Sequence, residues 1–175
     1  MHIFLTGDIQ VGKTTIIKKF LPQSGLSADG FLTYWALDGD GVRCLYLSKL
    51  STDAASGKRH ILARDIGGNL SQSEKVTSVF NEHGAAILSA CGKHDIIIMD
   101  ELGFLESEAA EFQNAVLRHI AGGVPVLGVI KPRKTKFLDT IRAQANVTVR
   151  EVTPQNRDAV LLRLLEHNWR HRNAI

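Results

Sequence analysis

Cysteine is scarce in this 175-residue chain. Only Cys44 and Cys91 are present, too few and too far apart for a disulfide framework or a metal-ligand spacing. They read as small apolar thiols in a reduced protein, which makes the cytoplasm the expected location. No apolar run approaches the length needed to cross a bilayer. The start, Met1-His2-Ile3-Phe4-Leu5 followed at once by Gly7 and Asp8, lacks the basic residues and long apolar stretch of a signal peptide, so no membrane association is expected. Charge of one sign is lacking too. The balance of 21 basic against 18 acidic residues leaves +3, too weak and scattered to mark a nucleic-acid or membrane surface despite a sequence pI near 9.0. Low-complexity tracts and internal repeats are absent. What is present is 44% hydrophobic residues in a length suited to one domain, residues 1–175, around one continuous core.

Strand and helix patterns alternate. Residues 2–6 form a short apolar strand ending in a glycine-rich turn, and helix formers continue over 13–21 until Pro22 is expected to stop them. Two β-rich runs, 31–37 and 42–47, flank Asp38-Gly39-Asp40-Gly41, which is hairpin chemistry. The same turn resembles the opening of a calcium loop, but that loop needs a carboxylate at its twelfth position, which here is Lys49. A third strand near 59–66 completes an insertion spanning about residues 30–66. After Gly67-Gly68, the residues Val76, Val79, Phe80, Ile87 and Ala90 recur at helical spacing, with His83 on the same face as a packing residue.

Asp95-Ile96-Ile97-Ile98-Met99 has the unbroken apolar character of a central parallel strand. A helix carrying Ala109, Phe112, Val116 and Ile120 follows, then a second apolar run over 124–130, a helix around 137–143 and a strand at 147–152. Thr153-Pro154 read as the N-cap and first turn of a closing helix with Leu161, Leu164, Leu165 and Trp169 as its buried stripe. This alternation predicts an α/β fold with an open, mainly parallel central sheet flanked by helices.

Gly7-Asp8-Ile9-Gln10-Val11-Gly12-Lys13-Thr14 matches the phosphate-loop pattern G-x-x-x-x-G-K-[ST] in full, between the first strand and the first helix. The two glycines let the backbone curl so that its N–H groups, with the helix N-terminus, surround phosphate oxygens. Lys13, solvent-facing without ligand, is expected to neutralise β- and γ-phosphate charge. Thr14 is expected to set its hydroxyl on Mg²⁺, and Thr15 extends the nucleotide-binding set by one residue. Asp100, delivered by the strand of 96–99, is the second expected metal residue, acting through water. Glu101 beside it is placed to orient and deprotonate an attacking water, which points to hydrolysis of a nucleoside triphosphate such as ATP or GTP. Asp100-Glu101-Leu102-Gly103 also fits a D-x-x-G switch, but no Asn-Lys-x-Asp element follows the 124–130 strand, so nothing supports guanine selectivity.

The chain resembles the nucleoside-triphosphatase family first characterised in thermophiles, whose human member is the cancer-related nucleoside-triphosphatase. The resemblance covers nearly the whole length and rests on Gly7 to Thr14, Gly30-Phe31-Leu32-Thr33, Asp100-Glu101-Leu102-Gly103 and Thr153-Pro154-Gln155-Asn156-Arg157. It implies a Rossmann-like P-loop fold with an antiparallel β-hairpin insertion. It also implies slow Mg²⁺-dependent hydrolysis of several nucleoside triphosphates, and a segment at Asn156 and Arg157 near the nucleotide base. The chain departs from the family at Tyr34-Trp35, at Phe104, where a lysine is usual, and at Val129-Ile130-Lys131-Pro132.

The basic loop Lys131-Pro132-Arg133-Lys134-Thr135-Lys136 follows a buried strand and should lie at the same rim as the other site residues. Arg133 is the first candidate for a catalytic arginine acting in cis, with Arg142 and Arg157 behind it. The basic tail from His167 to Arg172 reads as a cationic helix end, and no specific nucleic-acid binding is expected. No protein partner is legible. Two other functions stay open: a nucleotide or small-molecule kinase with the Tyr34-Trp35 hairpin as acceptor site, and a nucleotide-gated adaptor with little turnover.

Overall fold

The computed structural model describes residues 1–50 and 58–169. Its elements in chain order are β1 (His2–Thr6), α1 (Lys13–Ser24), β2 (Ala28–Leu37), β3 (Arg43–Lys49), β4 (Arg59–Ile66), β5 (Asn69–Gln72) and α2 (Val76–Ser78). A π-helical turn (Val79–Gly84), α3 (Ala85–Ala90), β6 (Ile96–Leu102), α4 (Ala110–Ala121), β7 (Val126–Ile130), α5 (Lys136–Arg142), β8 (Val147–Glu151) and α6 (Arg157–Glu166) follow.

The eight strands of the described residues join one sheet in the order β5-β4-β3-β2-β6-β7-β1-β8. From β2 to β8 every pairing is parallel, and from β2 to β5 every pairing is antiparallel. Strand β2 therefore belongs to both halves. The apolar runs show no alternation because both faces of the parallel half are covered. Ile3, Leu5, Ile96, Ile98, Leu127 and Val129 point to the face packed by α1 and α6 with Phe20, Val160 and Leu164. Phe4, Ile97, Met99 and Val126 point to the opposite face with Phe80, Leu88, Phe112 and Leu138. Successive residues of one strand thus enter two different cores.

The hairpin turn forms as its sequence predicts. Asp38 Oδ1 accepts from the N–H groups of Asp40 (3.0 Å) and Val42 (2.9 Å), and Arg64 pairs with Asp38 Oδ2 at 2.7 Å. The antiparallel part runs beyond residue 66, however. Gly67 and Gly68 both take positive φ (61° and 85°) and turn the chain into β5, an exposed edge strand too short and polar to announce itself. Residues 51–57 of the insertion, and Arg170 to Arg172 of the basic tail, lie outside the described residues.

Three local expectations change. Helix α1 runs through Pro22 to Ser24 and ends at Gly25 (φ 63°), where the left-handed glycine supplies the stop; Pro22 costs the helix one hydrogen bond without ending it. On the helix after β5 the predicted face fails at Ala90, which is exposed, while Gly84 and Leu88 are buried. The π-helical turn has more residues per turn than an α-helix and rotates every later residue around the axis. Gly84 then abuts Phe112, where a Cβ would sit 2.7 Å from its ring. The start of α6 also moves, to Arg157. Thr153 and Asn156 bond each other reciprocally, Thr153 N to Asn156 Oδ1 at 2.8 Å and Asn156 N to Thr153 Oγ1 at 3.3 Å, and this closes a separate turn before the helix.

Cys44 and Cys91 are buried free thiols. His83 stacks on His60 with ring centres 3.5 Å apart. Tyr34 packs against Tyr46 at 5.9 Å, while Trp35 is 38% exposed under the Arg43 guanidinium.

Candidate functional site

The loop between β1 and α1 is held by backbone demands that its sequence meets. Gly7 has φ 132°, and a Cβ there would collide with the Val152 carbonyl, since β8 and the segment after it run against β1. Gly12, in the left-handed region at φ 103°, is the residue before α1, and its carbonyl accepts the helix's first bond from Ile16 at 2.9 Å. Gln10 adopts φ 65°, the one non-glycine positive φ among the described residues. These turns leave the N-terminus of α1 facing the loop interior, a concentration of N–H groups suited to phosphate. Asp8, Ile9 and Gln10 are exposed, Val11 and Thr14 are half-buried, and Thr15 faces solvent in the first turn of α1.

Lys13 departs from expectation. It is 9% exposed, not solvent-facing, and its ammonium donates to the carbonyls of Gly7 (2.8 Å) and Asp8 (2.6 Å). An ammonium inside a tight loop finds carbonyl acceptors closer than bulk water. Burial pulls its pKa below the ordinary lysine value, while Glu101 and then Asp100 oppose that shift. Both carboxylates are thus within electrostatic reach of the loop lysine.

Strand β6 brings them there. Asp100 is 1% exposed, and burial pushes its carboxyl up to about 6, against a stabilising hydrogen bond with Thr14. Its Oδ2 is buried with no partner. A nearly dry carboxylate oxygen beside a threonine hydroxyl is a defect unless a cation or an ordered water uses it. Among the described residues no group of three or more His, Cys, Asp or Glu is placed to hold a metal. A Mg²⁺ ion that takes Thr14, Asp100, waters and substrate phosphates fits this donor set, since Mg²⁺ keeps several waters and few protein ligands.

Glu101, next in the chain, is half-exposed. Its backbone N–H donates to Thr33 Oγ1 on β2 at 3.2 Å, and its Oε1 pairs with Lys131 Nζ at 2.8 Å. Lys131 follows β7, the strand between β6 and β1, and its own N–H bonds the Leu102 carbonyl at 2.9 Å. Below this pair Glu106, 1% exposed, accepts a short hydrogen bond from the Gly103 N–H, and burial raises its carboxyl to about 7.

The remaining candidates divide. Arg133 is exposed, its guanidinium 4.6 Å above the Phe104 ring. Arg142 is spent on structure, bonded to Asp139 at 2.8 Å and to the Lys131 carbonyl at 2.6 Å. Arg157, at the first position of α6, lays its stem beside the loop, where a Cβ on Gly12 would lie 3.7 Å from its Cδ. The Asn156 side chain is occupied within its own turn, donating to the Glu151 carbonyl at 3.0 Å and accepting from Thr153. Sequence reasoning placed Lys131 in the basic loop and Thr33 in a motif of the family resemblance without giving either a role of its own, and it did not name Glu106. Lys131 had a signal, since it follows a buried apolar run as Asp100 does; Glu106 had none beyond its three-residue spacing from Gly103.

A family model described as NTPase matches residues 2–165 of this chain. The chain belongs to the NTPase family. It is 33% identical to the mouse cancer-related nucleoside-triphosphatase homolog over 91% of this chain and 92% of that protein. With the nucleoside-triphosphatase THEP1 of Natranaerobius thermophilus it shares 29% identity over 90% of each chain. Its fold is similar to the crystal structure of THEP1 from Aquifex aeolicus, with a TM-score of 0.73 and 26% identity over 95% of this chain and 98% of that one. The solution structure of a human cancer-related nucleoside triphosphatase matches with a TM-score of 0.71 and 28% identity, over 94% and 95% of the two chains. Like these NTPase structures, the chain has a mixed sheet, its parallel strands flanked by helices and its antiparallel strands at one side. Among the described residues no helix is long and apolar enough to cross a membrane.

Proposed function

We propose that this chain is a magnesium-dependent nucleoside-triphosphate phosphohydrolase, converting ATP, GTP and other nucleoside triphosphates to diphosphate and phosphate with water as the acceptor. The observation that carries the reading is the pair of adjacent carboxylates at the end of β6, one buried with an unpartnered oxygen beside Thr14, the other half-exposed and within electrostatic reach of Lys13.

In this reading the N–H groups of residues 7–15 surround the phosphates, Lys13 leaves its loop carbonyls for the β- and γ-phosphate oxygens, and the Arg157 stem covers Gly12 from the side of α6. Thr14 and Asp100 would hold Mg²⁺, which would offset phosphate charge during transfer. Glu101 accepts a proton from a water as its oxygen forms a bond to the γ-phosphorus; the bond from that phosphorus to the β-phosphate oxygen breaks, and the diphosphate leaves with the electron pair. Arg133, on its Phe104 platform at the rim, is a candidate to approach the transferred group. The two buried free thiols suit a reducing cytoplasm.

Phosphate release from ATP, GTP, CTP and UTP, with Mg²⁺ and with EDTA, tests this against Glu101→Gln. The expected result is Mg²⁺-dependent release from several of the four, reduced about 10²–10⁴-fold in the variant with nucleotide binding retained. Tight binding with no release in the native protein would end the hydrolase reading in favour of a kinase or an adaptor.

A further inference from the structure

The general base proposed above is not free. Its Oε1 is 2.8 Å from the Lys131 ammonium, a charge-assisted pair that engages one of the carboxylate's two oxygens and competes with a water for it. The same lysine is clamped along its length. Its amide bonds the Leu102 carbonyl at 2.9 Å, its carbonyl accepts from Arg142 at 2.6 Å, and its stem lies over Gly103, where a Cβ would stand 3.1 Å from Lys131 Cδ. The ammonium also lies 5.5 Å from the centre of the Phe104 ring. Because β7 separates β6 from β1, this clamp puts a cation between the two strands that carry the carboxylates and the phosphate loop. Lys131 and Lys13 are close enough to repel each other. Two carboxylates and a second cation are therefore within electrostatic reach of Lys13, a balance that a triphosphate with one Mg²⁺ upsets by adding negative charge.

We propose, resting on the hydrolase reading, that Lys131 is a catalytic cation that distinguishes triphosphate from diphosphate: it holds Glu101 in the empty site and moves to the γ-phosphate when a nucleoside triphosphate binds, freeing Glu101 for the water. The four-carbon stem lets the ammonium swing while Gly103 and Arg142 keep its root in place. Only a nucleotide with a γ-phosphate supplies an acceptor strong enough to replace the carboxylate, so the base is released only when there is a bond to hydrolyse. As the water attacks, Lys131 neutralises charge on the γ-phosphate oxygens, Glu101 takes the water's proton, and the β–γ bridging oxygen departs with the diphosphate. Arg133, exposed and stacked on Phe104, is not needed for this step.

The test compares the native protein with Lys131→Met, Lys131→Arg and Glu101→Gln, measuring single-turnover hydrolysis of Mg·ATP and Kd for ADP and for a non-hydrolysable ATP analogue. For Lys131→Met the expected result is a fall in turnover of about 10²–10³-fold, the loss typical of removing one oriented donor to transition-state charge. ADP affinity should hold within about threefold, while the analogue's preference over ADP shrinks about tenfold. Lys131→Arg should recover part of both, because a cation of similar reach remains. Unchanged ADP binding certifies a folded site, and Lys131→Arg carries the test if the methionine variant does not fold. The proposal is overturned by Lys131→Met turning over at or above the native rate, or by unchanged analogue-to-ADP discrimination, while Glu101→Gln is inactive. Native-like turnover in Glu101→Gln removes Glu101 as the base and overturns the proposal with it, whereas no turnover in the native protein sinks the hydrolase reading itself, whatever Lys131 does.

Discussion

Strands β2 and β6 each carry a buried aspartate, and the two meet opposite fates. Asp29 on β2 pairs in register with Ile97, and Asp100 on β6 pairs with Leu32, so the two lie three rungs, about 10 Å, apart on the same parallel ladder. Asp29, 3% exposed toward the amino end, is served: Gly30 N–H donates to it at 2.8 Å, Lys49 pairs with it at 3.1 Å, and His94 lies 3.9 Å away. Asp100, 1% exposed toward the carboxyl end, keeps one oxygen with no partner. A buried carboxylate whose partners are all in place serves the stability of the fold, and one left with an unpartnered oxygen is a candidate to receive a ligand.

Substituting each aspartate sharpens this contrast. Asp100→Asn is expected to lower Mg²⁺-dependent turnover by at least about a hundredfold, yet to leave the nucleotide-free protein as stable or up to about 2 kcal/mol more stable, because the cost of a buried, half-partnered charge is removed. Asp29→Ala is expected to do the reverse, costing about 1–3 kcal/mol while turnover stays within about twofold. Thermal unfolding without nucleotide, alongside phosphate release, reads both; a destabilised Asp100→Asn that still hydrolyses would erase the distinction.

Glu106 extends the comparison to pH. Its carboxyl is raised from 4.5 to about 7 in the folded state. The folded chain therefore holds this proton when the unfolded chain has lost it, so stability falls as pH rises from about 4.5 to about 7 and stays low above. The span corresponds to about 3 kcal/mol. Glu106→Gln should flatten that part of the curve in denaturant titrations at pH 5 and pH 8; an unchanged slope would remove Glu106 as its source.

Smaller effects follow at the loop. Lys13→Ala is expected to weaken triphosphate binding strongly and, since the ammonium bridges Gly7 and Asp8, to cost about 1–2 kcal/mol even without nucleotide. Calorimetry with and without Mg·ATP separates the two losses. The least is expected of Phe104→Leu, which removes the face beneath Arg133 and should change stability by about 0.5–1 kcal/mol. A turnover loss above about tenfold there would make Arg133 a stronger candidate than the rim position suggests.

Much of this was legible because the signals are local. The phosphate loop needs its two glycines, lysine and threonine within eight residues, and Asp38 to Gly41 carries its hairpin turn in its own hydrogen bonds. The apolar runs of β6 and β7 marked parallel strands covered on both faces. Errors arose where geometry accumulates along the chain: the π-helical turn moved the buried face from Ala90 to Gly84 and Leu88, and the Thr153–Asn156 turn postponed α6.

By itself the sequence determined that a complete phosphate-loop pattern precedes the first helix and that two carboxylates end a buried strand, since both depend on residues adjacent in the chain. Tertiary structure alone decided what those groups face. Strand β7 lies between β1 and β6, which brings Lys131 to Glu101 across thirty positions and leaves Asp100 Oδ2 beside Thr14 without a partner. Strand order is the sum of many side chains packing on two sheet faces, and no short stretch of sequence contains it.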